Sequence, residues 1–102
     1  MKVNFSKVLT DIDGAEMKNP FRPDSEAPLT LRDIAVRTIL QPIEGDKVEP
    51  VQTLSRLELA RRIQNSDGEL EIRPEDAVLL RERSAKMYGV LISGQVYESL
   101  GG

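Results

Sequence analysis

Carboxylates are the residues in this chain best placed by type and spacing to do chemistry. Asp11, Asp13 and Glu16 crowd a single Asp-Gly turn, and oxygen-rich loops of that kind can hold Ca²⁺ or Mg²⁺. The spacing lacks the further ligands and the terminal Glu of an EF-hand loop. Turn formation with solvated acids is therefore the expected role, and no metal is expected. Asp67-Gly68-Glu69 and Glu44-Gly45-Asp46 read in the same way. Glu75 next to Asp76, and Glu69 two residues before Glu71, are pairs that an acid and base mechanism would need. A helix start favours the first pair through its dipole, and the polar side of a strand accounts for the second.

The chain has no His and no Cys, and it has no Trp. That composition excludes histidine acid-base work, thiol nucleophiles, zinc sites of His and Cys, and disulfides. Ser6, Ser25, Ser55, Ser66, Ser84, Ser93 and Ser99 have no His partner. Ser84 with Lys86 is not a recognisable serine-lysine site, and Ser93-Gly94 lacks the glycine elbow that exposes a hydrolase serine. No glycine-rich phosphate loop occurs. No catalytic residue and no cofactor are expected, and the chain reads as a non-enzyme.

Two other sets of side chains could touch a macromolecule. Arg56, Arg61, Arg62, Arg81 and Arg83 lie on two successive helical segments and suggest a nucleic-acid surface as an alternative. Against it stand Glu58 and Glu82 within the same segments and a net charge of −3, which weakens phosphate attraction. Pairs such as Glu58 with Arg61 or Arg62 fit a solvated helix face. The second set is apolar: Phe21 in a polar loop, and Val90, Ile92, Val96 and Tyr97 in a C-terminal segment richer in apolar residues than one inward stripe requires. Gly94 among them would permit another helix to come close. These five are the expected partner-binding residues, for a protein partner or for a second copy of the chain.

The 102 residues suit one domain. Hydrophobic residues make up 39% and charged ones 30%, as in ordinary folded proteins. Aromatics reach only 4%, so the core must come from Leu, Ile, Val, Ala and Met. The opening MKVNFSKVL has no apolar run of signal-peptide length, and no stretch is long enough to cross a membrane. A cytoplasmic, membrane-free protein is expected.

The elements that must position these residues follow from periodicity and punctuation. Asp13-Gly14 between apolar flanks predicts a short β-hairpin near 7–18, with both central residues at positive φ. Three prolines make 19–28 a loop in which Phe21 tucks back over the core. Thr30 with Asp33 predicts a capped helix carrying Leu31, Ile34, Ala35, Thr38 and Ile39 inward, ending before Pro42. A mobile 41–52 connection leads to a second helix capped by Thr53, with Leu54, Leu57, Ala60 and Ile63 on one face and Leu59 widening it. Asn65 to Gly68 end it. Alternation in Glu69 to Ile72 predicts a third short strand, able to pair with the hairpin. Pro74 opens a third helix to about residue 88, with Ala77, Leu80, Ser84 and Met87 inward, and a last helix follows Gly89. The expected class is α+β, mainly helical, with about four helices and a short N-terminal β-hairpin. Its parts are a hairpin at about 5–18, a loop at 19–28 and a helical part at 30–100. A helical bundle with a disordered arm is the alternative.

The order of VLTDIDGAEM, LTLRDIAVRTIL, LELARRIQNSDGELEI, PEDAVLLRERSAKMY and GQVYESL resembles that of small proteins encoded by tailed bacteriophages and prophages. It departs from that pattern in a longer Pro-rich stretch after Lys18. The resemblance implies a bacterial cytoplasm and a non-enzymatic accessory role, in virion assembly or in modulating a host factor. It brings no functional residues with it.

Overall fold

A computed structural model describes residues 1–101. The chain is α+β and mainly helical, in the order β1 (Lys2–Asn4), α1 (Leu31–Leu40), α2 (Pro50–Gln64), β2 (Glu69–Glu71), α3 (Pro74–Met87) and α4 (Val90–Ser99). β1 and β2 form a two-stranded antiparallel sheet with Val3 opposite Leu70. The strand near residue 70 thus pairs with the first residues of the chain and not with a hairpin at 7–18.

That segment does turn back on itself, without forming a ladder. The Asp11 N–H donates to Ala15 O at 2.8 Å, and the Gly14 N–H to Asp11 O at 3.0 Å. Within this turn only Gly14 has positive φ, at 88°. The connection is a three-residue loop with glycine at the bulge position, not the two-residue turn expected from Asp13-Gly14. The Asp11 side chain accepts from the Asp13 and Ala15 N–H groups, as Asp does in turns. Regular pairing stops because Leu9 divides its backbone bonds. Its N–H goes to Leu29 O and its C=O accepts from Met17, while Leu29 N–H reaches Met17 O. Isolated bridges Val8 to Thr30, Thr10 to Glu16 and Lys18 to Pro28 result. Pro28 has no N–H with which to extend them.

α1 begins where the sequence places it. The Thr30 hydroxyl accepts from the Asp33 N–H, and the Asp33 carboxylate accepts from the Thr30 N–H at 3.1 Å, a cap of about 1 kcal/mol. Leu31, Ile34, Ala35, Thr38 and Ile39 are buried, the predicted face. α1 packs against both α2 and α3, and α4 packs on α3. One cluster of buried apolar side chains joins Val3, Phe5, Leu9, Leu29, Ile63, Ile72, Leu80, Val96 and Leu100 to the α1 face. Phe5 is the one aromatic ring in it that is fully buried.

α2 starts one turn earlier than Thr53. Pro50 occupies the first position, where its missing N–H costs nothing, and Gln52 Oε1 accepts from the Glu49 N–H at 3.0 Å. Its buried residues are Leu59, Ala60 and Ile63, with Leu57 half-buried and Leu54 exposed. The inward face is therefore rotated toward Leu59 and begins only halfway along the helix. The first half of α2 stands clear of the core.

Two substitutions on α2 check this register. Ile63→Ala should lower stability by about 2–5 kcal/mol, the usual cost of truncating a buried aliphatic side chain. Leu54→Ala should change it by less than about 0.5 kcal/mol, as for an exposed position. Urea unfolding of both variants measures the contrast, and similar losses would contradict the register.

Candidate functional site

The C-terminal end of α1 is where charge and apolar surface meet. A helix leaves its last carbonyls without partners inside the helix, and α1 ends at Gln41 before Pro42, with no glycine to turn the chain. Arg83 of α3 fills that gap. Its Nε donates to Thr38 O at 2.7 Å and its Nη2 to Gln41 O. Its Nη1 donates to Asp46 Oδ2 of the following loop. The residue is only 5% exposed, and its positive charge lies at the negative end of the helix dipole.

Asp46 also accepts from Arg56 Nη1 of α2 at 3.2 Å, so two guanidinium groups from different helices converge on one carboxylate oxygen. Partial burial pushes the Asp46 carboxyl up, but the hydrogen bonds and charges of Arg56 and Arg83 outweigh it. The group is held below its usual value of 3.8. An acid so held is ionised at neutral pH and is poorly suited to deliver or collect protons there.

Beside this ion cluster lies a cleft of about 350 Å³, walled by Ile39, Leu40, Pro42, Ile43, Val48 and Leu57. Leu54 precedes Leu57 by three residues and Val51 precedes Leu54 by three, so their side chains adjoin along α2. Val51 is 74% exposed and Leu54 65%. Leu40 and Val48, which wall the cleft, are exposed as well, whereas neither Val51 nor Leu54 lines it.

The residues singled out from sequence fall in several places. Phe21 is half-buried against the core, with the Arg37 guanidinium 3.7 Å from its ring centroid, a cation over an aromatic face. Asn19 holds this loop, its Oδ1 accepting from the Phe21 N–H and its Nδ2 donating to Asp33. Val96 lies in the core, and Ile92 packs partly against it. Val90 is 87% exposed and Tyr97 is exposed beneath Arg81. A Cβ on Gly94 would meet no heavy atom within 4 Å, so no neighbour within the chain makes use of its small size.

The five arginines do not share a face. Arg83 is buried and Arg56 is turned onto Asp46. Arg62 donates to Glu71 O at 2.7 Å and ties α2 to β2. Arg81 donates to Leu100 O at the end of α4, and Arg61 is exposed. Among the described residues, no group of three acidic side chains lies close enough to hold a metal ion.

Sequence reasoning read Asp46 as a solvated turn acid, where the structure pairs it with Arg56 and Arg83, and it missed the burial of Arg83 and the exposed apolar side chains at the start of α2. The available signal was Pro50, which starts α2 early and so lifts Val51 and Leu54 off the core. Nothing local marks Arg83 as buried, because its acceptors lie about 40 residues away.

Arg83→Ala should cost about 1–3 kcal/mol in urea unfolding, since it leaves the Thr38 and Gln41 carbonyls without their donor. Arg83→Lys should recover little, because one ammonium cannot span three acceptors set apart. The lowered Asp46 pKa fixes the sign of a pH effect: its stabilisation is whole well above 3.8 and is lost as pH falls through the folded value. The stability difference between the unaltered chain and Asp46→Asn should therefore shrink as pH drops below 3.8. A difference that grows on acidification would contradict this assignment.

In comparison with known proteins, no family model matches the chain, and neither a curated protein nor a solved structure does.

Proposed function

We propose that this chain is a non-enzymatic accessory protein that works by holding another protein, with the cleft between α1, the 41–49 loop and α2 as its docking site. One observation carries this reading. The apolar cleft opens to solvent at its own wall residues Leu40 and Val48, and exposed Leu54 lies one turn of α2 before another wall residue, Leu57. Contiguous apolar surface of this kind is characteristic of interaction sites. The held, ionised state of Asp46 supports binding over acid-base catalysis. The order of segments that resembles phage and prophage proteins places the activity, in this proposal, in a bacterial cytoplasm, in virion assembly or in modulating a host factor. Among the described residues, no helix is long and apolar enough to cross a membrane.

The alternative, a nucleic-acid-associated regulator, draws less support. Four of its five arginines spend their donors on backbone carbonyls or on Asp46 within the chain. Counterion release needs several cations free to meet phosphates. Duplex DNA should accordingly pass unretained at moderate salt. Retention that falls steeply as salt rises would favour the regulator instead.

A photo-crosslinking residue at Leu54 tests the docking site in the bacterium that expresses the chain. A discrete adduct with another protein, absent when the probe stands at exposed Glu26, is the expected result. Equal labelling from both positions would remove the proposal.

A further inference from the structure

None of residues 40–58 is buried, the longest such stretch among the described residues. Buried Ile39 and Leu59 bound it. Its helical part also begins weakly: the first turn of α2 has no acidic side chain to meet the positive end of the dipole, and Val51 and Thr53 are β-branched. Hollows flank the segment on both sides. The cleft of about 350 Å³ lies toward α1. A second hollow, of about 280 Å³, lies toward α3, with Gln52, Ser55 and Arg56 facing Arg73, Glu75 and Leu79. Among the described residues, the hydrogen bonds of 42–58 stay within the segment or run along α2, with one exception. Asp46 Oδ2 accepts from Arg83 Nη1, and Arg83 is itself fixed to the end of α1 by Thr38 O and Gln41 O. The same oxygen accepts from Arg56 and so ties the loop to the helix.

We infer that residues 42–58 are a separately opening unit latched at Asp46, and that the cleft exists only while the latch is closed. Segments with few buried apolar contacts open for a fraction of the global unfolding free energy. A half-helix without a packed face is marginal by itself, so little holds the segment once Asp46 leaves Arg83. The second half of α2 stays in the core through Leu59, Ala60 and Ile63. Ile43, Val48 and Leu57 leave together, and the cleft loses those walls. The consequence for binding rests on the docking reading above. A partner there meets a site whose apparent affinity is reduced by the fraction of molecules that are open, and by filling the cleft it closes the unit.

Amide hydrogen exchange of the full chain, read residue by residue by NMR, tests the unit without any partner. Arg56, Leu57 and Glu58 should share one protection factor, at least about tenfold below those of buried Ile34 and Leu80. A smooth decline along α2, or protection equal to the core, would overturn a separate unit. Ile63→Val weakens the body that remains folded when the unit opens. It should lower protection at Ile34 and Leu80 by about threefold to tenfold and leave residues 56–58 unchanged, whereas equal losses in both places would also overturn the unit. Asp46→Asn should lower protection at 56–58 by about tenfold, as for loss of a bond to a charged group. If that chain fails to fold, as shown by circular dichroism, Arg56→Gln should lower protection at the same residues. No change at 56–58 removes the latch. The Leu54 crosslink from the unaltered chain decides the docking reading by itself. Where the adduct forms, Asp46→Asn should lower its yield, and an undiminished yield would overturn the dependence of the cleft on the latch.

Discussion

The structure depends on arginine side chains that close the ends of helices other than their own. Arg83 of α3 takes the last carbonyls of α1. Arg32 of α1 does the same for α2, donating to Ile63 O at 3.3 Å and Ser66 O at 2.6 Å. Arg81 of α3 reaches Leu100 O at the end of α4. Arg83 and Arg81 satisfy carbonyls that their acceptor helices cannot, Arg32 adds to an Ile63 carbonyl that also accepts from Ser66, and each brings positive charge to a negative helix end. Because donor and acceptor lie on different elements, the caps also fix how those elements sit together. In a core with few aromatic rings, where close packing supplies less area per residue, such directional links matter more.

The N-terminal arm is tied in by similar means. The Gln95 side chain of α4 accepts from the Thr10 N–H at 2.9 Å and donates to the Thr10 C=O at 2.8 Å, the pattern a neighbouring strand would offer. An amide on a helix thereby substitutes for a strand beside the 7–18 turn. Val3, Phe5 and Leu9 add apolar anchors to the common core. The arm is thus held by two kinds of contact, hydrogen-bonded and apolar.

The same economy shapes the candidate site. Arg83 must be buried to cap α1, and a buried guanidinium needs a counter-charge. The 41–49 loop supplies it as Asp46, and with Arg56 it makes the polar end of the cleft. The apolar part arises from a different cause: Pro50 starts α2 before the core begins, so the first turns carry side chains with nothing to bury them. An internal ion cluster and apolar exposure meet here because a loop, a cap and an early helix start coincide.

The residues by themselves determined the class, the four helices, the Thr30 and Asp33 cap, the inward face of α1 and the short strand near residue 70, because each is written in spacing within a few positions. They also ruled out chemistry that needs His or Cys. Which half of α2 meets the core, that β2 pairs with residues 2–4 and that Arg83 is buried were decided only in three dimensions. Guanidinium groups look alike in sequence whether they face water or a helix end. What separates them is the position of acceptors far along the chain, and only folding brings those acceptors within reach.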